Sequence, residues 1–232
     1  MIDWSPRMHA TTVAHVSPNR LIVIAVLAAG ALAYAGAETG AAMIRLDAMT
    51  PGSPPAGFSF AQTGQGYPGQ WSVTDDATAA SRRTIEQIST ARVDYRFPLA
   101  IYNAVEAVNV DVRVNFRTVG GWIDQAAGIA VRLRDADNYY VARANALEDN
   151  VRFYRVVRGR REQLAGANLK VTGDVWHSLA VRAQGNRFTV SYDDKVLFVA
   201  IDDTFDTAGK VALWTKADSI TRFDQIEVTP LP

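Results

Sequence analysis

The stretch "VNVDVRVNF" places Val108, Val110, Val112, Val114 and Phe116 on one side and Asn109, Asp111, Arg113 and Asn115 on the other. Strict alternation of this kind describes a strand with one buried face and one solvated face. "GIAVRLR" repeats the pattern and predicts Ile129, Val131 and Leu133 pointing inward. "YYVARAN", "VRFYRVV", "WHSLAVRA", "NRFTVSY", "VLFVAI", "GKVALWT" and "ITRFDQIEV" follow as further strands, with "DADN" and "DDK" as turns between them. Upstream, "FSFAQTGQGYPGQWSV" mixes aromatics with Gly and Pro, as short strands joined by tight turns do, and "TIEQIS" reads as a strand after a loop at "DDATAASRR". Strands spaced about 8–12 residues apart predict an all-β sandwich. Their alternation predicts antiparallel pairing with a solvated outer face. No segment carries a helical period and no internal repeat is visible.

The N-terminus breaks this pattern. Arg20 precedes an apolar run from Leu21, which closes on small residues at Ala35-Gly36-Ala37. A basic region, an apolar region and an A-x-A site make a signal peptide over residues 1–37, with cleavage expected after Ala37 and Ala35 as second choice. Met8 is an alternative start, and a short uncleaved anchor is the alternative fate. The run is shorter than the roughly 20 residues a spanning helix prefers, so no membrane span is expected after cleavage. Residues 38–57, rich in Ala, Pro and Gly, read as an exposed lead-in, and 58–232 as the sandwich domain. Export makes the chain secreted or periplasmic.

Composition narrows the function classes. Basic and acidic residues balance at 24 each, which argues against nucleic-acid binding. There is no cysteine, so a hydrophobic core carries stability without disulfides. His177 is the only histidine beyond the leader and is expected as a surface strand residue, so a zinc site of the usual nitrogen and sulfur kind cannot assemble. No cofactor is implied. A structural calcium ion is the one metal considered, with Asp47 and Asp224 as ligands and Asp75, Asp76, Asp202 and Asp203 as further oxygen donors. Nothing in the sequence specifies an oligomeric state.

The segments "AGIAVRLRDADNYYVARANALEDNVRFYRVVRGRR", "WHSLAVRAQGNRFTVSYDDKVLF" and "GKVALWTKADSITRFDQIEV" resemble secreted bacterial members of the concanavalin A-like lectin/glucanase superfamily. They are similar in particular to laminin-G-like and 3-keto-disaccharide hydrolase-like domains. The resemblance covers roughly residues 57–229, and "NYYVARANALEDN" and "LWTKAD" are its most specific parts. It implies a jelly roll of two stacked antiparallel sheets, one of them concave. It also implies carbohydrate or a cell-envelope glycan as partner, though sugar binders, glycan-cleaving enzymes and adhesion modules share the fold.

The E-x-D-x-E pattern of the superfamily's retaining glucanases is absent, and adjacent Glu148 and Asp149 would point to opposite faces of a strand. If the chain is an enzyme, a hydrolase of modified disaccharides of the 3-keto-glycoside type, then Glu148, Asp149 or Asp218 supplies the acid or base. If it is a lectin, Tyr139, Arg143 and Asn145 share a face of "YYVARAN", with Glu148 and Asn150 in the following turn. Trp122, Gln125, Trp214 and Lys216 complete the candidate ligand face. A laminin-G-like adhesion module is the third reading. The turn itself has two roles open to it. It rims a groove, or it is a charged connection in which Arg143 pairs with Glu148 or Asp149 and Asn150 takes a positive φ. The arginines at 132, 134, 152, 155, 158, 160 and 161 read as a solvated basic face or as a patch for an anionic glycan.

Overall fold

The computed structural model describes residues 42–232. The expected leader and the first residues of the lead-in lie outside that range. Fifteen strands follow in chain order: β1 (Ala42–Met43), β2 (Phe58–Gly64), β3 (Trp71–Asp75), β4 (Arg83–Gln87), β5 (Arg96–Ala107), β6 (Val110–Gly120), β7 (Ala126–Asp135) and β8 (Asn138–Asn145). Then come β9 (Asn150–Val157), β10 (Arg160–Asn168), β11 (His177–Gln184), β12 (Arg187–Tyr192), β13 (Lys195–Ile201), β14 (Gly209–Trp214) and β15 (Ile220–Pro230). Among the described residues no helix is long and apolar enough to cross a membrane.

The strands form two antiparallel sheets. One runs β13-β12-β11-β6-β15-β4-β3, with β1 added beside β15; the other runs β10-β9-β8-β7-β14-β5-β2. This is the expected jelly-roll sandwich. Between the sheets lies the main core, which includes Val110, Val112, Val114 and Phe116 from one layer and Ile129, Val131, Tyr140 and Phe153 from the other. Alternation in β6 therefore reads out as predicted, buried residues alternating with half-buried ones.

Three expectations need correction. The lead-in is not wholly exposed: Ala42 and Met43 pair with Val228 and Glu227, and Ile44 and Leu46 enter the main core. Val108 lies in the turn before β6 rather than on it. Leu133 does not face the main core. Arg132 adopts a left-handed backbone (φ 49°) where the β7–β14 register shifts by one residue, and that extra residue swaps the two faces. Leu133 consequently turns to the outer side of its sheet. Arg132 is buried instead, donating to the carbonyls of Val108 (2.8 Å), Phe205 (2.7 Å) and Gly185.

Candidate functional site

The outer face of the seven-stranded sheet carries the candidate residues. Register places Leu99, Trp214, Gly128, Arg143 and Arg152 in one line across β5, β14, β7, β8 and β9. Tyr139, Val141, Arg143 and Asn145 share this face of β8, as alternation predicts. The expectation that this face is solvated fails. All four residues are buried, and a second apolar cluster of Phe97, Leu99, Ile101, Tyr139, Val141 and Trp214 occupies it.

Coiling of the sheet explains the burial. β2 and β8 are four strand spacings apart, roughly 19 Å in a flat sheet. Yet the Thr63 hydroxyl on β2 bonds to the Tyr139 hydroxyl at 2.7 Å and donates to the carbonyl of Ala136. The Tyr95 hydroxyl, just before β5, donates to the Gly159 carbonyl in the β9–β10 turn at 2.6 Å. Diagonally opposite corners of the sheet thus meet over its outer face, which is the concave one.

Within this fold of the sheet the Trp214 ring stacks on Phe97 at 5.3 Å and its indole N–H donates to the Tyr139 hydroxyl at 3.2 Å. Gly128 makes room for the ring: a Cβ there would sit 3.0 Å from Trp214 Cε3 and 2.8 Å from the Ala142 carbonyl. Burial pushes the Tyr139 phenol up to about 12, so it keeps its proton, which it donates to the Thr63 hydroxyl.

Beside the aromatic floor lies a polar cluster. Asn145 Oδ1 accepts the N–H groups of Leu147 (2.9 Å) and Glu148 (3.2 Å), which shapes the β8–β9 turn. Its Nδ2 donates to buried Asp124 at 2.6 Å. Lys216 bridges Asp124 (2.6 Å) and Asp94 (2.8 Å). Burial opposes the Lys216 charge, but hydrogen bonds to the two carboxylates more than offset it and raise its pKa. Arg143 Nη2 donates to Glu148 and Asn150, both at 2.9 Å, while its Nε is buried without a partner. The Arg143 guanidinium holds the Glu148 carboxyl down at about 2. The Arg143–Glu148 pair expected of the turn is present. The positive φ falls on Asp149 (50°), not on Asn150, which opens β9.

The rim is built by Asp218. Its carboxylate accepts the backbone N–H groups of Trp122 (2.8 Å), Ile123 (2.9 Å) and Asp124 (3.1 Å), fixing the loop between β6 and β7. Trp122 is thereby presented to solvent, 75% exposed, with the Arg92 guanidinium 5.6 Å from its ring. A shallow pocket of about 310 Å³ lies here, lined by Thr90, Arg92, Gly121, Trp122, Asp218 and Ile220. Gln125 donates to the Gly121 carbonyl (3.2 Å) and its own carbonyl accepts from Ala146 (2.9 Å), tying this loop to the β8–β9 turn.

The structure brings together Gln125, Arg143, Asn145, Glu148, Asn150 and Lys216, with Trp122 on the adjoining rim and Tyr139 and Trp214 beneath. Asp149 is apart from them, paired with Lys170 (3.0 Å) and accepting the Val171 N–H (3.1 Å). Asp124, Asp94, Tyr154, Phe97 and Arg161 were not picked out from sequence as part of the ligand face. Asp94 comes from just before β5 and Phe97 from its start, Tyr154 from β9 and Arg161 from β10, whereas Asp124 lies between Trp122 and Gln125, which was the one local hint. The basic stretch is not one patch: Arg152 bonds to the Ala167 carbonyl and Asn168, and Arg155 pairs with Glu162 and Asp202. His177 is half-buried rather than a plain surface residue, set between Asp193 (2.8 Å) and the Thr172 carbonyl (3.1 Å).

Two of the aspartates considered for calcium have protein partners. Asp47 pairs with Arg45 at 2.8 Å, and Asp224 accepts from the Ser81 hydroxyl at 2.5 Å. Among the described residues no three His, Cys, Asp or Glu side chains gather as a metal site. The opposite sheet holds a larger groove of about 520 Å³, lined among others by Asp111, Arg113, Arg182, Thr189, Asp194 and Glu227.

No family model matches the chain. No curated protein sequence matches it either. Solved structures do. A carbohydrate-binding module, CBM66, from Bacillus subtilis aligns with a TM-score of 0.58 at 20% identity, over 73% of this chain and 94% of the module. A protein of unknown function with a galectin-like fold, also from Bacillus subtilis, aligns with a TM-score of 0.53 at 9% identity, over 73% of this chain and 88% of that one. These likenesses show a shared β-sandwich fold.

Proposed function

We propose that the chain is an exported, non-catalytic carbohydrate-binding β-sandwich, acting on a secreted or cell-envelope glycan. The observation that carries this reading is the exposed Trp122 ring, on a loop whose backbone is tied by three N–H bonds to buried Asp218, beside a charged polar cluster. A sugar ring offers a flat C–H face to an aromatic side chain and its hydroxyls to charged and amide groups. Trp122 supplies the first surface, and Arg92, Asp94, Lys216 and Glu148 supply the second. The likeness in fold to a carbohydrate-binding module supports the same reading.

The competing reading, a hydrolase of modified disaccharides, needs a carboxyl that holds a proton near neutral pH. Glu148 is held down at about 2 by Arg143. Lys170 and the Val171 N–H engage Asp149, and three N–H groups occupy Asp218. These carboxylates suit positioning better than proton transfer.

A glycan array followed by calorimetry tests the proposal. The wild type is expected to bind at least one cell-wall or plant polysaccharide. Trp122→Ala should weaken it roughly 30-fold, as removal of a central aromatic anchor does. A folded chain that binds nothing on the array overturns the reading.

A further inference from the structure

The aromatic floor of the seven-stranded sheet is not empty. Arg161, on edge strand β10, reaches over it, and its guanidinium carbon lies 4.3 Å from the Phe97 ring, 4.9 Å from Tyr154 and 5.9 Å from Trp214. Its Nε and Nη1 are buried and make no hydrogen bond among the described residues. Ring faces attract a guanidinium, but buried N–H groups left unbonded oppose its staying there. The closed arrangement therefore rests on opposing contributions.

The attachment of the strand fits a strap. Among the described residues β10 pairs only with β9, and its register shifts between Gln163 and Ala165. The turn before it has positive φ at Arg158 (49°) and Gly159 (75°). Across the concave face that turn is held by the Tyr95 hydroxyl on the Gly159 carbonyl at 2.6 Å and by the Gly159 N–H on the Asp137 carbonyl at 2.9 Å. Beneath the plug lie flat apolar rings. Close by is the Nε of buried Arg143, which has no partner among the described residues. A ring face next to an unspent hydrogen-bond donor is the complement of a sugar residue, and here the chain's own arginine sits in that place.

We propose that Phe97, Tyr154 and Trp214 form a saccharide subsite that Arg161 holds shut, so that binding requires the β9–β10 hairpin to release its arginine. This deepens the carbohydrate-binding reading and rests on it. A site open for only a fraction of the time binds with its affinity reduced by that fraction.

Calorimetry on the full chain would compare wild type, Arg161→Ala and Tyr95→Phe with cellohexaose, laminarihexaose and xylohexaose. Arg161→Ala is expected to bind at least one about 10-fold more tightly than wild type, and Tyr95→Phe, which only loosens the strap, about 3-fold more tightly. Methylguanidinium, as a free substitute for the plug, should raise the thermal midpoint of Arg161→Ala and leave that of wild type unchanged. Equal oligosaccharide affinity in all three proteins overturns the plug and leaves the carbohydrate reading intact. A methylguanidinium response without oligosaccharide binding by any of them shows a vacated aromatic cage and removes its assignment to saccharides. If Arg161→Ala does not fold, Tyr95→Phe with unchanged affinity is enough to overturn the proposal.

Discussion

The outer faces of the two sheets are built on different principles. On the eight-stranded sheet, β6 alternates as "VDVRVNF" does, and the outward residues are charged or amide groups beside the hydroxyls of Thr189 and Ser191 on β12. On the seven-stranded sheet, β8 is buried on both faces from Tyr139 to Asn145. The same period-2 backbone thus yields a solvated wall in one layer and a second small core in the other. Coiling makes the difference. Where diagonal corners close over a face, Tyr139 and Trp214 gain partners that no flat sheet would give them, and polar residues such as Asn145 survive burial only because Asp124 and the turn N–H groups satisfy them.

Substitutions should separate the two faces. Trp214→Ala removes the ring that fills the concave cluster and is expected to cost about 3–5 kcal/mol in urea unfolding. Arg182→Ala on the opposite face, where the pair with Asp111 is half-exposed, should stay within about 0.5 kcal/mol. Equal costs would mean that the concave cluster is no core at all. Asp124→Ala comes next. It leaves Lys216 and Asn145 without a buried partner and should cost about 3 kcal/mol, with Asp124→Asn recovering part of the loss. Gly128→Ala is smaller, about 1–2 kcal/mol, because the new methyl must displace the Trp214 ring. A shift in Trp emission should accompany it.

The smallest effect concerns acid. Glu148 is held at about 2 in the folded chain against an ordinary value of 4.5. A depressed carboxylate contributes stability above the ordinary value and loses it as pH falls toward the folded one. Wild type should therefore lose this contribution between pH 4.5 and about 2, and Glu148→Gln should not. The side chain is 44% exposed, so solvent screening keeps the difference below about 1 kcal/mol. Asp76, held at about 2 by Thr78 and Arg222 against the cost of burial, titrates over a similar range in both proteins and serves as the common background.

Most of the sandwich was legible because alternation reports a local property. Val110, Val112, Ile129, Val131 and Val190 all reach the main core as their spacing predicts. Leu133 escaped because one left-handed residue, Arg132, reverses the faces after it, and no composition rule marks an arginine for that role. The site was legible in part. Arg143, Asn145 and Glu148 are close in sequence, and their grouping in the turn followed from spacing. Asp124 and Asp94 meet Lys216 through the pairing of β7 and β5 with β14, which local spacing does not report, and Arg161 reaches the cluster only through the coil of the sheet, which depends on contacts such as Thr63 with Tyr139, 76 positions apart. Asp218 was expected as a possible acid, and its role as anchor of the Trp122 loop became visible only once the loop's N–H groups were placed around it.

Amide chemical-shift mapping with a saccharide selected by the array tests the concave rim most directly. The account predicts perturbations centred on residues 121–125, 145–150 and 214–218 and reaching 92–97, 154 and 158–161 on the same face, with those at 111–113, 180–182 and 189–196 unmoved. Perturbations centred on the groove of the eight-stranded sheet, with the Trp122 loop silent, would contradict it.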